Sequence, residues 1–140
     1  MQLRHILETC LYVDNLDAAE DFYGGVLGLP KYSRQDNGYL FYRLSRGMLL
    51  LFLPEYGKDA TRGVPAHGTE GAGHLAFAVA PSEFPKWRRH LQKNGITIET
   101  ERTWLGGGSS LYFRDPAGNV LELATPNLWG YPNDKFLAEE

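Results

Sequence analysis

Residues 73–79 alternate between bulky apolar side chains and small or polar ones. Leu75 begins the bulky series, and His74 begins a series that continues with two alanines. Successive side chains of a strand point to opposite faces, so this pattern predicts a strand that packs on one face only. We therefore expect His74 to lie on an open face, where it forms the only polar group on the floor of a cavity.

Two other stretches have the same design. Residues 8–13 place Glu8, Cys10 and Tyr12 on the face opposite the apolar one, and residues 120–124 place Glu122 there. The alternation thus predicts one imidazole and two carboxylates, each on the non-packing face of its own strand.

The chain is predicted to contain two units with the same order of elements: strand, helix and three further strands. In the first unit, a helix begins at the N-cap Asn15 and ends at Gly28, and strands cover residues 3–13, 30–34, 39–45 and 48–53. In the second unit, a helix begins at the N-cap Ser82 and ends at Gly95, and strands cover residues 73–79, 96–102, 109–114 and 119–124.

These units indicate a tandem duplication. Glu8 and His74 are 66 positions apart, and three pairs in the last hairpins are 71 apart: Arg43 with Arg114, Gly47 with Gly118, and Leu51 with Glu122. The expected fold is α+β, with tandem βαβββ modules forming a cup-shaped mixed sheet. It is predicted as a single domain over residues 1–140, with modules at about 3–54 and 72–125, a polar linker at 55–71 and a tail at 126–140.

The composition limits the classes of partner. The chain has 140 residues, a net charge of −3 and one cysteine. It shows no run of Lys or Arg that would bind a nucleic-acid backbone, and no signal-peptide pattern. Its longest apolar run, residues 48–54, is too short to span a membrane. We expect a cytoplasmic protein with a small-molecule substrate or drug as partner and with neither nucleic acid nor membrane as partner.

Three stretches of the chain resemble the vicinal oxygen chelate superfamily, which includes glyoxalase I, fosfomycin-resistance thiol transferases, extradiol dioxygenases and bleomycin-binding proteins. They are residues 11–29, with LYVDNL leading into FY and VLGL, and residues 73–77 and 112–122, with GHLAF and YFRDPAGNVLE. The resemblance covers about residues 3–125 and implies a divalent metal held by first and last strands of the modules.

Carried over position by position, the resemblance implies the metal ligands Glu8, His74 and Glu122. Glu8 stands where His is more frequent, and Leu51 occupies the remaining ligand position, where glyoxalase I usually has Glu. Tyr112 matches the tyrosine that contacts fosfomycin. Three other positions differ from the fosfomycin-resistance enzymes: Cys10 replaces Thr, and Gly106 and Tyr131 stand where Ser and Arg are expected.

The predicted ligands favour Mn, Mg or Fe(II), with Zn or Ni also possible, because the set is rich in oxygen and contains no thiolate. Such a cation would act as a Lewis acid on substrate oxygens. Glu8 could also serve as a base, and Tyr112 and Arg114 share a strand face from which they could bind a substrate anion. Tyr12 and Trp104 could form an aromatic wall, with Cys10 as a neighbour.

Two functions remain open from the sequence. The first is a metal-dependent lyase, isomerase, thiol transferase or dioxygenase of this superfamily. The second is a metal-free binding protein for a drug or metabolite, of the bleomycin-binding type. The resemblance also implies a homodimer.

Overall fold

The computed structural model describes residues 1–138, and its chain divides into two compact units, residues 1–73 and the residues from His74 onward. Each unit contains one four-stranded sheet. The two units have the same strand order, in which the first strand lies beside the last strand of its unit and parallel to it.

The first unit contains strands β1 to β4 in the spatial order β1-β4-β3-β2. Helix α1, Leu16–Glu20, is capped by the Asn15 side chain, which accepts from the Ala18 N–H at 2.9 Å, and it continues as a π-helical segment, Asp21–Val26. After the sheet come a short helix α2, Pro54–Lys58, and a 3-10 turn, Ala60–Arg62. The strands are β1 Glu8–Tyr12, β2 Lys31–Gln35, β3 Tyr39–Arg43 and β4 Met48–Phe52.

The second unit repeats this arrangement with strands β5 to β8 in the order β5-β8-β7-β6. A 3-10 turn, Pro81–Glu83, leads into helix α3, Phe84–Lys93. A second 3-10 turn, Pro126–Trp129, and helix α4, Asn133–Leu137, follow the sheet. The strands are β5 His74–Ala78, β6 Thr100–Thr103, β7 Ser109–Arg114 and β8 Val120–Ala124.

The two mixed sheets with their helices confirm the predicted α+β fold of repeated βαβββ modules. In each unit, one face of the sheet carries the core, because residues at alternate strand positions are fully buried there. In the first unit these residues include Leu40, Tyr42, Leu49 and Leu51, and in the second Leu111, Phe113, Leu121 and Leu123.

The register of the last hairpins corrects one predicted correspondence. In the first unit, Leu50 pairs with Cys10, which lies two positions after Glu8. In the second unit, Glu122 pairs with Ala76, which lies two positions after His74. Glu122 therefore corresponds to Leu50, and the match with Leu51 is wrong. The connection between β3 and β4 spans residues 44–47, and that between β7 and β8 spans residues 115–119, so the second is one residue longer. A shift of one residue reverses the face of every following side chain.

Several predicted boundaries differ from the structure, and three of the differences have a clear physical cause. The first strand begins at Glu8, opposite the start of β4 at Met48, because a strand extends only as far as its partner. The strand expected over 96–102 begins at Thr100, since Ile96 still donates to the Leu91 carbonyl at the end of α3. Ser82 does not cap α3: it lies inside the 3-10 turn, which starts at Pro81.

No helix within residues 1–138 is both long enough and apolar enough to cross a membrane.

Candidate functional site

The second unit brings together two of the predicted ligands, His74 and Glu122. They lie on the neighbouring parallel strands β5 and β8, and both project from the face opposite the core. His74 Nε2 is 3.2 Å from Glu122 Oε1. The Glu122 side chain is 9% exposed and that of His74 is 52% exposed, so the carboxylate forms the floor of the site and the imidazole its edge.

The other ring nitrogen of His74 determines what Nε2 can do. His74 Nδ1 is 2.9 Å from the Val120 carbonyl oxygen, which can only accept, so Nδ1 carries a proton and donates it. In the neutral ring, Nε2 therefore directs a lone pair at a carboxylate oxygen. That contact is repulsive unless it is stabilised by a further proton, on Nε2 or on the carboxylate, or by a bound cation.

The donor set fits a divalent cation. Two ligand atoms that each lie about 2.1 Å from one ion are about 3.0–3.4 Å apart from each other. The 3.2 Å between His74 Nε2 and Glu122 Oε1 falls within that range. A metal-binding histidine also generally donates its other N–H to a carbonyl or carboxylate, as His74 does to Val120. His74 and Glu122 could thus hold one ion through Nε2 and Oε1.

A short hydrogen-bonded chain fixes the carboxylate of Glu122. Ser110, which is buried on β7, donates to Glu122 Oε2 at 2.6 Å, and the indole Nε1 of Trp104 donates to Ser110 Oγ at 2.9 Å. Oε2 is thereby occupied, and Oε1 is the oxygen that faces His74. Ser110 was not among the predicted site residues, although it lies two positions before Tyr112 and so shares its strand face.

Tyr112 lies directly beside this pair. It is opposite Glu122 in the β7–β8 register, and its ring stacks with that of His74 at a centroid distance of 6.2 Å. Burial, followed by the charge of Glu122, raises the pKa of Tyr112. A phenol is protonated at neutral pH in any case, and this one lies within hydrogen-bonding reach of Ser110 and Glu122.

The pair opens into a cavity of about 840 Å³ within the second unit. Its floor is made by β5 and β8, and its wall by the β6–β7 hairpin and the tail. Trp104, one of the predicted substrate-binding residues, lies in this wall. Other wall residues were not predicted as site residues: Arg102, Leu105, Leu128, Trp129, Tyr131 and Phe136.

The predicted site residues of the first unit lie on the open face of β1. Glu8 and Cys10 are exposed, and the thiol of Cys10 is free. Burial and the nearby charge of Glu8 raise the pKa of this thiol, which disfavours the nucleophilic thiolate. Tyr12 forms a 2.6 Å hydrogen bond with His67 Nδ1, so the linker folds over this end of the strand.

Arg114, predicted to bind substrate, is bonded to other groups of the chain. Its Nε donates to Glu99 at 2.9 Å and its Nη1 donates to the Gly118 carbonyl at 2.9 Å. Arg114 does not line the cavity. Within residues 1–138, no group of three or more His, Cys, Asp or Glu side chains is placed to hold an ion. The three-ligand centre with Glu8 stays a prediction.

Comparison with known proteins identifies the family. Residues 2–123 match the model of the Glyoxalase/Bleomycin resistance protein/Dioxygenase superfamily. The chain belongs to this superfamily, and the resemblance found in the sequence is confirmed.

Individual relatives carry enzyme names. The chain is 30% identical to the glutathione transferase FosA of Serratia marcescens over 90% of the chain and 84% of the relative. It is 27% identical to the metallothiol transferase FosB of Staphylococcus epidermidis over 91% of the chain and 86% of the relative. A crystal structure of lactoylglutathione lyase from Agrobacterium tumefaciens is 38% identical, with a TM-score of 0.89, and the match covers 94% of this chain and all of that one. Thiol transferase and lyase are two of the reaction classes expected from the sequence.

Proposed function

We propose that the protein is a divalent-metal-dependent enzyme of the vicinal oxygen chelate type that acts on a small organic molecule as a lyase or thiol transferase. His74 Nε2 and Glu122 Oε1 would hold the metal. The names of three relatives support this choice, since two are thiol transferases and one is a lyase of a glutathione adduct.

One observation carries the proposal: His74 Nε2 lies 3.2 Å from Glu122 Oε1, while Nδ1 lies 2.9 Å from the Val120 carbonyl oxygen and so holds the proton of the neutral ring. A structural histidine paired with Glu122 would need a further proton, on the ring or on the carboxylate, to make this contact attractive. A divalent cation makes it attractive with the ring neutral, and the buried Ser110 hydroxyl keeps Glu122 turned toward that position.

The side chains around the pair suggest how substrate is handled. When bound, the cation would supply Lewis-acid polarisation of substrate oxygens. Tyr112 would donate a hydrogen bond to a substrate oxygen from the neighbouring strand. Trp104 and Ser110 do not react: they hold Glu122 in one orientation, so the site is arranged before substrate arrives.

Glu8 is proposed as the third ligand, because it occupies in the first unit the place that His74 occupies in the second. Both are the first residues of a strand that runs parallel to the last strand of its sheet. We further propose a cytoplasmic homodimer. Exposed apolar side chains near the N-terminus support it, since such a group is typical of an interface: Met1, Leu3, Ile6 and Leu7.

The metal site is tested by replacing His74 with alanine. We expect the wild-type protein to bind one Mn²⁺ per chain in calorimetric titration and His74→Ala to bind it at least about a hundredfold more weakly, because a ligand is lost. His90→Ala is the matched control: it removes an exposed imidazole from α3 in the same unit and should leave the affinity unchanged.

Equal Mn²⁺ binding by the His74→Ala variant would contradict the assignment of the ligand. No binding of Mn²⁺, Ni²⁺ or Zn²⁺ by the wild-type protein, with ligand binding indifferent to EDTA, would favour the metal-free binding protein instead.

A further inference from the structure

The guanidinium of Arg62 in the first unit has hydrogen-bond donors that lack an acceptor. Within residues 1–138, neither Nε nor Nη2 has a partner, although both atoms are buried. Burying a charged donor without an acceptor is unfavourable, so the group has unused capacity to bind an anion. Arg43 shows the contrast: its guanidinium lies 4.7 Å from the centre of the Tyr32 ring, but Arg43 is exposed, so water can satisfy its donors.

Contacts with aromatic rings hold this guanidinium in place. It lies 4.5 Å from the centre of the Tyr56 ring and 5.9 Å from that of Phe52. Tyr56 is itself packed directly against the backbone of Gly38, because a Cβ at that glycine would lie 2.6 Å from the ring. Nε and Nη2 lie on one edge of the planar guanidinium, and such an edge can donate two parallel hydrogen bonds to one carboxylate.

Aromatic rings surround Arg62 on the open face of the first sheet. Phe52 lies on that face together with its strand partners, Tyr12 on β1 and Tyr39 on β3. Its ring is 4.8 Å from that of His67 and 6.4 Å from that of Tyr39. Four neighbouring rings are partly exposed: Tyr12, Tyr39, Tyr56 and His67. The surroundings of the cation thus suit the aromatic body of an organic acid.

The charges near Arg62 favour a ligand with a single negative charge. Hydrogen bonds from Thr61, and then the charge of Arg62, lower the pKa of Asp59, so its carboxylate is ionised at neutral pH. This carboxylate accepts from the Thr61 N–H at 2.9 Å and from the Thr61 hydroxyl at 2.6 Å. Lys58 is bonded to Glu70, at 3.2 Å. A monoanion can be balanced by Arg62 alone, whereas a dianion such as phosphate leaves a second charge that Asp59 repels.

The turn that carries Arg62 lies at the surface of the linker. Ala60 and Thr61 are exposed, so the turn can shift without the loss of buried contacts. The linker is fastened further along, where the His67 N–H donates to the Gly57 carbonyl at 2.8 Å. A shift confined to the turn would therefore open the edge of the guanidinium and leave the linker attached.

We propose that Arg62 is the anion-binding residue of a ligand site in the first unit, which takes the carboxylate of a small aromatic acid. Nε and Nη2 donate to the two carboxylate oxygens, the turn shifts to admit the ligand, and the ring of the acid lies against Tyr56. A small molecule is favoured over a carboxylate on another protein surface, because the donor edge is buried beneath the turn. The site uses neither His74 nor Glu122, so it does not rest on the proposed function.

The test is an NMR titration of the ¹⁵N-labelled protein in EDTA with benzoate, its neutral isostere benzamide, and inorganic phosphate. We expect benzoate to bind at least about tenfold more tightly than benzamide, because only the carboxylate can accept a charged pair of hydrogen bonds. Phosphate should bind more weakly than benzoate. The Nε–H resonance of Arg62, identified by its absence from Arg62→Gln, should shift when benzoate is added.

Two variants of Arg62 separate its charge from its shape. In Arg62→Gln the preference for benzoate over benzamide should fall to about twofold or less, because the cation is lost. In Arg62→Lys it should fall to about threefold or less, because the charge stays but the paired donors are lost. Arg43→Gln is the matched control: it removes an exposed guanidinium that also lies on a tyrosine ring in the same unit, and the tenfold preference should remain.

Equal affinity for benzoate and benzamide, tightest binding of phosphate, or an unchanged preference in Arg62→Gln would overturn the inference. So would a wild-type protein that binds no probe while Arg62→Gln dissociates a dimer, since the donor edge would then serve a carboxylate of a second copy. Because the titration is carried out in EDTA, its result is independent of the Mn²⁺ titration. A protein that binds no Mn²⁺ but prefers benzoate through Arg62 would lose the proposed function and keep this site.

Discussion

Replacing Leu51 with glutamate is expected to lower the free energy of unfolding by about 4 kcal/mol or more and to leave little folded protein at 37 °C. Leu51 is fully buried on the core face of β4. A carboxylate there would lose its hydration without gaining a partner, and the packing of the leucine would be lost as well.

Leu50→Glu is the matched variant, because it introduces the same carboxylate one position earlier on the same strand. Leu50 lies on the opposite face, beside the exposed Cys10, and corresponds to Glu122 of the second unit. We expect it to cost less than Leu51→Glu, because Leu50 is 8% exposed on the face that also carries Cys10, whereas Leu51 is 0% exposed within the core. Urea unfolding followed by circular dichroism measures the free energy of unfolding of both variants. An equal loss of stability in the two, or a larger loss for Leu50→Glu, would contradict the register.

Glu122→Gln is expected to lower the affinity for Mn²⁺ at least about a hundredfold and to abolish metal-dependent turnover, because the substitution removes the negative charge of a ligand. Glutamine keeps the size of the side chain and an oxygen that can accept from Ser110. We therefore expect a change in the free energy of unfolding of no more than about 1 kcal/mol.

The control for Glu122→Gln is Glu99→Gln, which removes an exposed carboxylate paired with Arg114 in the same unit. It should leave metal affinity unchanged. Should Glu122→Gln bind Mn²⁺ as the wild-type protein does, or unfold at the temperature of the measurement, Glu122 would have a structural role and the proposed centre would fail.

The sequence predicts the faces of the strands better than their ends. Alternation is a local property, so the residue pattern alone places His74 and Glu122 on the face opposite the core. Strand ends depend on partners that are distant in sequence. The first strand accordingly begins at Glu8, where β4 begins, although apolar residues continue toward the N-terminus.

The exact match between the units could not be read from spacing alone. A single extra residue between β7 and β8 moves the equivalent of Glu122 from Leu51 to Leu50, and spacing does not show on which side of a turn the extra residue lies. Leu50 carries no ligand atom either, so the first unit has no counterpart of the Glu122 carboxylate at either position.

The parts of the site that escaped prediction depend on tertiary contacts. Ser110 becomes important only because Glu122 lies beside it across the β7–β8 pair and Trp104 folds back from the hairpin. The form of the His74 ring follows from one backbone carbonyl, that of Val120. Nothing in the sequence distinguishes the hydroxyl of Ser110 from that of another serine, or the carbonyl of Val120 from another backbone carbonyl.

The most direct test of the metal centre is an anomalous difference map from crystals grown with Mn²⁺. We predict a peak about 2.0–2.3 Å from both His74 Nε2 and Glu122 Oε1, with the Glu8 carboxylate of the same chain or of a second copy as the third ligand. A map with no peak at this position, in which His74 and Glu122 keep their direct contact, would contradict the account.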